Sequence, residues 1–356
     1  MRIPFSTASR FLAALFPRRQ MRADWDLRAR GDAASFIDCA HGASSAAFWT
    51  SGEDDVAKQI LKGVRLAPDA EVLEIGCGIG RLLRAMRGRA RLVTGVDISG
   101  EMIERARREL LPDEGVRLFR TDGRLQDTPD RSIDFVYSFI VFQHIPSRTA
   151  VLTYLREAAR VLRPGGVLRF QADGRGRRFK PPNTWSGVRF RAEGLRRQLE
   201  ALGFRVLEIT ASGTQYMWVT AQRARAADDP AIAAAVFSPR RWNAAALENL
   251  LRRLGRDPRE DAPRVVSGKI GVRDLVSALI RRGRRLEPAD YVEQAYRAIL
   301  GRSPDPGGLE SYAREIEEGI PRVHVVDCLI ASPEFDETYR EDGGEPASDG
   351  ASTVNA

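Results

Sequence analysis

Residues 71–81 read E-V-L-E-I-G-C-G-I-G-R, and the rest of the chain is organised around them. The run E-V-L-E-I predicts a short strand that ends where the glycines begin. A turn with glycine at every second position can adopt positive φ and leaves no Cβ between the backbone and a ligand. The glycines of this turn are Gly76, Gly78 and Gly80. A helical pattern follows directly, and the free N–H groups of a helix start favour a nucleotide-like ligand on the turn.

The glycine spacing and two acids indicate the kind of nucleotide. Dinucleotide-binding folds carry G-x-G-x-x-G, whereas this turn is G-x-G-x-G with Glu74 two positions before the first glycine. A second predicted strand, residues 91–96, ends at Asp97, where a carboxylate can accept both hydroxyls of a ribose. This ordered set resembles the class I S-adenosylmethionine-dependent methyltransferases, in which E/D-x-G-x-G-x-G and a strand-end acid mark the cofactor site.

The resemblance is to the type 11/12 methyltransferases and runs from about Met21 to Arg223, through segments such as D-W-x-x-R-A and V-F-Q-H-I-P. It implies an α/β fold with a Rossmann-like, doubly wound, mostly parallel seven-stranded sheet, followed by a small all-α domain. It also implies S-adenosyl-L-methionine as cofactor, with Asp97 at the ribose and Asp122 at the adenine. The implied cofactor-binding residues are Glu74, Gly76, Gly78, Gly80, Asp97, Ile98, Asp122 and Gly123. A plain turn at Asp122-Gly123 is the alternative.

Two polar residues follow the fourth predicted strand, residues 132–138. In a doubly wound sheet the end of this strand lies beside the first strand, at the switch point where ligands bind. Gln143 and His144 are therefore predicted to lie near the transferred methyl group, as candidate catalytic residues. The pKa range of an imidazole suits a general base. The alternative is a His144 that only packs the loop before Pro146.

Three further segments carry predictions beyond the sheet. Residues 21–37 have apolar residues at helical spacing around Trp25, which predicts a helix. This is either an ordinary surface helix or, as the resemblance implies, a lid over the cofactor pocket. Residues 172–191 form a basic loop in which Trp185 is a candidate substrate-binding residue for a sugar ring or an anionic acceptor. A solvated loop anchored by one aromatic residue is the alternative there. In F-W-T-S-G-E-D-D-V, Ser51 is predicted to cap a helix. Ser99 is predicted to cap another helix, from about Gly100 to Leu111.

The composition limits the classes of protein to which this chain can belong. A chain of 356 residues with 43% hydrophobic content can bury a core and form two domains. The net charge of +8 comes from arginine spread over solvated faces, and no nucleic-acid-binding motif accompanies it, so no nucleic-acid partner is expected. The three cysteines, Cys39, Cys77 and Cys328, lack metal-ligand spacing, which predicts reduced thiols, no metal site and a cytoplasmic protein. Membrane contact by the N-terminus is not favoured.

The chain is predicted to divide into five segments. These are a flexible N-terminus (1–20), a methyltransferase domain (21–223), a helical linker region (224–285), a small helical domain of unknown function (286–336) and a disordered acidic tail (337–356). The fourth segment carries Y-R-x-x-L-G-R-x-P-D-x-x-G-L. It resembles a domain attached to bacterial surface, repeat and glycan-related proteins, which implies a protein partner.

The resulting prediction is an enzyme that moves a methyl group from S-adenosylmethionine to a small-molecule or glycan acceptor, in envelope or polysaccharide biosynthesis. One alternative is a non-catalytic cofactor-binding scaffold. The other is a nicotinamide-dependent oxidoreductase, against which the glycine spacing and the missing Ser/Tyr-x-x-x-Lys pair count.

Overall fold

The computed structural model describes residues 17–37, 46–176, 181–225, 234–238, 240–267, 270–276, 280 and 283–341. The chain forms two compact units that divide between Val236 and Phe237. In the described part of the chain, every helix falls short of the length and apolarity that crossing a bilayer requires.

The first unit alternates strands and helices. In chain order its elements are α1 (Pro17–Arg30), α2 (Ala33–Ile37), α3 (Ala46–Asp55) with a π-helical turn (Val56–Ile60), β1 (Val64–Leu66), β2 (Glu71–Ile75), α4 (Arg81–Met86), β3 (Leu92–Asp97), α5 (Gly100–Leu110), β4 (Val116–Arg120), β5 (Ile133–Ser138), a 3₁₀ turn (Phe142–His144), α6 (Arg148–Val161), β6 (Leu162–Ala172), α7 (Ala192–Ala201), β7 (Phe204–Thr210), β8 (Met217–Arg223) and β9 (Ala235–Phe237).

Seven of these strands form one sheet in the order β4-β3-β2-β5-β6-β8-β7. Strands β2 to β6 are parallel to one another, and β8 runs antiparallel to both β6 and β7. The strand order reverses between β2 and β5, and ligands bind at such a switch point. The predicted Rossmann-like, seven-stranded, mostly parallel sheet is confirmed.

The central strands are buried because helices cover both faces of a parallel sheet. All six residues of β5 are buried, and so are four of the five in β2. Two buried carboxylates lie within these strands, and each has partners. Asp134 accepts a hydrogen bond from the Glu71 N–H at 2.8 Å. Glu74 lies opposite Tyr137 in the register of β2 and β5 and accepts a hydrogen bond from its hydroxyl.

Two predicted helix starts have opposite outcomes. Ser99 caps α5 as predicted, since its Oγ accepts a hydrogen bond from the Met102 N–H at 3.1 Å. The prediction that Ser51 is a cap is wrong, because α3 already begins at Ala46 and Ser51 lies inside it. There its hydroxyl donates to the Phe48 carbonyl at 2.8 Å, one turn back. A serine can bond back in this way within a helix, so the pattern does not identify a helix end by itself.

The limits of the first unit differ from the predicted domain limits. The predicted flexible N-terminus is wrong from Pro17 onward, where α1 begins, and residues 1–16 lie outside the described residues. The sheet is complete at Arg223 as predicted. However, β9 then pairs with β1, and the Ala67 N–H donates to the Ala234 carbonyl at 2.8 Å. The unit therefore extends past the predicted boundary at residue 223.

The second unit is helical apart from one short strand pair. Its elements are β10 (Arg241–Trp242), α8 (Ala244–Arg253), α9 (Pro258–Val266), α10 (Val272–Leu275), a 3₁₀ turn (Gly283–Arg285), α11 (Pro288–Ile299), α12 (Pro306–Glu317), α13 (Val323–Ala331), α14 (Pro333–Tyr339) and β11 (Arg340–Glu341). Helices α8 to α10 belong to the same compact unit as α11 to α14. The predicted division into a linker, 224–285, and a small domain, 286–336, stays a prediction.

The predicted disordered tail begins too early. Helix α14 continues to Tyr339, whose side chain is buried and whose hydroxyl donates to the Ile299 carbonyl at 2.5 Å. Strand β11 then pairs with β10, with Trp242 opposite Arg340. The remainder of the predicted tail, 342–356, lies outside the described residues. The same holds for Cys39, whereas the other two cysteines are free thiols as predicted.

Candidate active site

The glycine turn after β2 has the backbone that its sequence predicts. Gly76 and Gly78 have φ values of 81° and 54°, a region that favours glycine. A Cβ on Gly76 would lie 2.4 Å from Cγ2 of Val141, and one on Gly78 would lie 2.9 Å from Cδ1 of Ile37. Both positions therefore need glycine for conformation and for space. The turn is fixed to the neighbouring strand because the Gly76 N–H donates to the Val96 carbonyl at 2.7 Å.

Two acids beside the turn have raised pKa values. Burial raises the pKa of Glu74 to about 8, although a hydrogen bond from the Tyr137 hydroxyl at 2.9 Å opposes the shift. Burial likewise raises the pKa of Asp97 to about 6. The Asp97 carboxylate accepts hydrogen bonds from the Gly78 N–H at 3.0 Å and the Ser99 N–H at 2.8 Å. A ligand that supplies positive charge or hydroxyl donors would stabilise both carboxylates.

A cavity of about 880 Å³, including the open space at its mouth, lies at the switch point. The predicted residues that line it are Glu74, Gly76, Gly78, Asp97, Ile98 and His144. The helices before the sheet also reach it, through Met21 and Trp25 of α1 and Phe36 and Ile37 of α2. Of the two interpretations of residues 21–37, the structure supports a lid over this cavity.

The remaining predicted residues, which are Gly80, Asp122, Gly123, Gln143 and Trp185, are not part of the cavity lining. Gly80 directly precedes α4, and Gly123 is buried with its N–H 3.0 Å from the Thr121 hydroxyl. Asp122 is exposed and accepts a hydrogen bond from the Arg124 N–H at 3.2 Å, as in a plain turn. Its role at the adenine stays a prediction. Trp185 is 52% exposed, and its role in substrate binding likewise stays a prediction.

His144 has a defined tautomer. Its Nδ1 lies 2.8 Å from the Trp185 carbonyl oxygen, which can only accept, so Nδ1 carries the proton and Nε2 carries a lone pair. Burial lowers the pKa of His144 to about 4, and the nearby charge of Arg28 acts in the same direction. The imidazole is therefore neutral at physiological pH. Its Nε2 lies 3.4 Å from Nε2 of Gln143, the other candidate catalytic residue, which can donate to it.

Several residues of the site escaped the sequence analysis. Tyr154 lines the cavity from α6, and burial raises its pKa. Arg81, the residue after the last glycine, also lines it and is 4% exposed. Arg81 contacts Asp55 at 2.8 Å and donates to the Ser51 hydroxyl at 2.9 Å. Only the position of Arg81 next to the glycine turn could have indicated that it belongs to the site. Its partners on α3 are more than twenty residues away in the sequence.

Two family comparisons match parts of the chain. Residues 73–170 match the family described as "Methyltransferase domain". Residues 279–339 match a "Domain of unknown function (DUF4214)". The first match covers the glycine turn, Asp97, His144 and the strands β3 to β5. The second covers α11 to α14, where the sequence resembled such a domain.

Individual relatives match a shorter part of the chain. A 2-methyl-6-phytyl-1,4-hydroquinone methyltransferase of Synechocystis is 34% identical over 104 residues, 29% of this chain and 32% of that protein. A 27-O-demethylrifamycin SV methyltransferase of Amycolatopsis mediterranei is 38% identical over 101 residues, 27% of this chain and 36% of that protein. The chain thus spans about a third of the length of these curated relatives. A solved S-adenosylmethionine-dependent methyltransferase of Aquifex aeolicus is 22% identical, with a TM-score of 0.39 over 48% of this chain and 89% of that chain.

The sheet order and the glycine turn define the first unit as a Rossmann-like nucleotide-binding fold. The family match over residues 73–170 narrows that class to a methyltransferase domain. S-adenosyl-L-methionine is its cofactor, and the residues fit it. A Cβ on Gly76 or Gly78 would collide with Val141 or Ile37 of the cavity wall. The two acids that line the cavity are of the type that a cationic, ribose-bearing ligand stabilises.

Proposed function

We propose that this protein transfers a methyl group from S-adenosylmethionine to a hydroxyl group of a small-molecule acceptor. The observation that carries the proposal is His144, a neutral imidazole whose Nε2 carries a lone pair that can accept a proton, at the wall of the cavity that holds the glycine turn and Asp97. When bound, the cofactor supplies an electrophilic methyl group on a sulfonium centre.

Different residues of the chain would bind different parts of the cofactor. The turn at Gly76 and Gly78, two residues that carry no side chain of their own, would hold the methionine part. Asp97 would accept hydrogen bonds from the ribose hydroxyls, and Ile98 lines the same cavity. Asp122 and Gly123, after the next strand in the sheet, would hold the adenine. The Glu74 carboxyl, which also lines the cavity, would favour a cationic ligand.

His144 acts on the acceptor. It takes the hydroxyl proton at Nε2 while the acceptor oxygen is methylated, and it then returns the proton to solvent. The Trp185 carbonyl holds Nδ1–H and thereby keeps Nε2 free of a proton. Methyl transfer requires the reacting atoms to be collinear, so the walls of the cavity contribute by orientation as much as His144 does by proton transfer.

The surroundings of His144 favour a planar acceptor. The ring of Trp25 lies 5.9 Å from the imidazole ring and that of Trp185 lies 5.8 Å from it. Both curated relatives described above are named for small-molecule substrates, a hydroquinone and a rifamycin, which supports a small-molecule acceptor here.

A glycan acceptor, in envelope or polysaccharide biosynthesis, is the second candidate. The observation in its favour is the exposed indole of Trp185, on which a sugar ring can stack. The basic loop gives less support to an anionic acceptor, because Arg175 and Arg189 both bind the buried carboxylate of Asp173. A protein partner for the second unit and a cytoplasmic location stay predictions.

The test is methyl transfer from labelled cofactor to fractionated cell extract and to a panel of phenols, hydroquinones and sugars, with products identified by mass spectrometry. We expect His144→Gln to lower kcat by about a hundredfold or more while cofactor affinity stays nearly unchanged. His324→Gln, the same substitution in the second unit, is the matched control and should retain turnover. Near-normal turnover in His144→Gln would exclude the base. Cofactor binding without transfer to any acceptor would favour the scaffold alternative.

A further inference from the structure

We propose that Asp24 and Arg28 of α1 form a latch with Thr184, and that this latch positions His144 for proton transfer. The proposal rests on the proposed function in one respect, the role of His144 as base. It adds three residues, none of which contacts the reacting atoms, that hold the base in its working tautomer.

The latch joins two segments that are distant in the sequence. The Thr184 hydroxyl donates to Oδ2 of Asp24 at 2.7 Å and accepts from Nη2 of Arg28 at 3.1 Å. Nη1 of Arg28 also donates to the Thr184 carbonyl at 3.4 Å. Thr184 is 6% exposed, so water has little access to the hydroxyl and cannot readily replace either partner. The hydroxyl therefore depends on α1 for its hydrogen bonds.

The residue after Thr184 holds the base. The Trp185 carbonyl accepts the hydrogen bond from Nδ1 of His144 at 2.8 Å. Two residues further on, the Gly187 N–H donates to the Gln143 carbonyl at 2.6 Å. A Cβ on Gly187 would lie 2.4 Å from the Ile145 carbonyl oxygen, so the loop approaches this turn as closely as a backbone can. The loop is thus bound to α1 on one side and to the His144 turn on the other.

Ring contacts reinforce the same arrangement. The Arg28 guanidinium carbon lies 4.5 Å from the centre of the Trp25 ring and 5.7 Å from that of Trp185. Trp25 in turn contacts the His144 ring edge-on. Arg28 therefore lies between the two indoles that flank the imidazole, and it contacts both the lid helix and the loop.

Loss of the latch has a defined chemical consequence. If Thr184 no longer holds the loop, the Trp185 carbonyl is free to move away from Nδ1 of His144. A neutral imidazole then populates both tautomers, and the tautomer with the proton on Nε2 cannot accept one from the acceptor. Turnover should fall even though the cofactor cavity keeps all of its residues.

The test compares two variants. Thr184→Val removes the hydroxyl and keeps a side chain of similar size, whereas Thr184→Ser keeps the hydroxyl. The tautomer of His144 is read from imidazole ¹⁵N shifts, which is practicable because the chain has three histidines. The wild-type protein and Thr184→Ser should show a proton on Nδ1, and Thr184→Val a mixture of tautomers. In Thr184→Val, kcat should fall on the order of tenfold to a hundredfold with unchanged cofactor Kd. Asp24→Asn is the second variant should Thr184→Val not fold.

Arg30→Ala is the control. Arg30 lies on α1, as Asp24 and Arg28 do, and forms an exposed ion pair with Glu101 of α5. This variant should have the tautomer and the turnover of the wild-type protein. A pure Nδ1–H tautomer in Thr184→Val would overturn the latch, even if the melting temperature falls. A mixed tautomer with normal turnover would support the latch and count against His144 as base, so the two proposals fail separately.

Discussion

Replacing Asp97 by Asn should weaken cofactor binding and remove its dependence on pH between pH 5 and 7. Burial raises the pKa of this carboxyl to about 6 from an ordinary value of 3.8, and two backbone N–H groups already bind it. Ribose hydroxyls donate best to the ionised carboxylate. Cofactor affinity should therefore rise as Asp97 loses its proton. Asn offers one neutral acceptor and does not titrate.

The magnitude follows from the pKa of Asp97. With a pKa of about 6, the ionised fraction rises from about one tenth at pH 5 to about nine tenths at pH 7. Affinity for the cofactor should rise about tenfold over that interval, which corresponds to about 1.4 kcal/mol. Glu74, with a pKa of about 8, stays mostly protonated below pH 7 and contributes little in this window. At pH 7, loss of the charged acceptor should cost about 1.5–3 kcal/mol of binding.

Asp97→Asn should lower cofactor affinity but raise the stability of the cofactor-free protein. A raised folded-state pKa means that the protonated acid stabilises the fold. That contribution is fully present below pH 3.8 and is lost as the pH rises through about 6. Asp97→Asn should therefore melt at a higher temperature than wild type at pH 7 in the absence of cofactor. The variant would be more stable and bind less.

The assay is calorimetry with S-adenosylhomocysteine at pH 5, 6, 7 and 8, together with thermal melts of the empty protein. Asp69→Asn is the control, because Asp69 is an exposed acid that precedes β2, at the opposite end of that strand from the glycine turn. It should retain both the affinity and its pH dependence. If Asp97→Asn binds as wild type does, or keeps the tenfold rise between pH 5 and 7, the assignment of Asp97 to the ribose is refuted.

Three further predictions use other parts of the first unit. Gly76→Ala should abolish cofactor binding by calorimetry and lower stability by about 1–3 kcal/mol, whereas Gly88→Ala, which meets nothing within 4 Å, should be neutral. Arg81→Met should lower the free energy of unfolding by about 3–5 kcal/mol in urea, while Lys58→Met, in an exposed pair, should change it by less than about 1 kcal/mol. A chain that ends at Val236 should fold and bind cofactor. A chain that ends after β8 lacks the pairing of β9 with β1 and should melt several degrees lower. Equal melting temperatures for the two chains would contradict this prediction.

The sheet and the glycine turn could be predicted because their signals are local. Short apolar runs that end at turns predicted β2, β3 and β5, and the strand-end position of Asp97 followed from them. The lid contacts could not be found in this way. Arg28 and Thr184 are 156 positions apart, and no periodicity connects them. A local sequence pattern predicts the helix or strand that it belongs to. Contacts between two elements depend instead on how the whole chain folds.

The two errors at segment ends have related causes. Ser51 begins a serine-to-acid pattern typical of a helix start, but Ala46 and Ala47 before it also favour helix, so α3 begins earlier. In the C-terminal region, the acidic composition after Asp336 suggested disorder. Phe335 and Tyr339 lie four positions apart on one face of α14 and are both buried, and this pair orders the segment.

The strand order of the first unit also bears on self-association. Its two outermost strands, β4 and β7, leave unpaired backbone groups that another chain could extend. Both strands carry charges along their length, with Arg117 and Arg120 exposed on β4 and Arg205 exposed on β7. Adding a strand from another molecule would bring these charges against it and strip them of water. These charges therefore disfavour edge-to-edge association of the sheet with another chain.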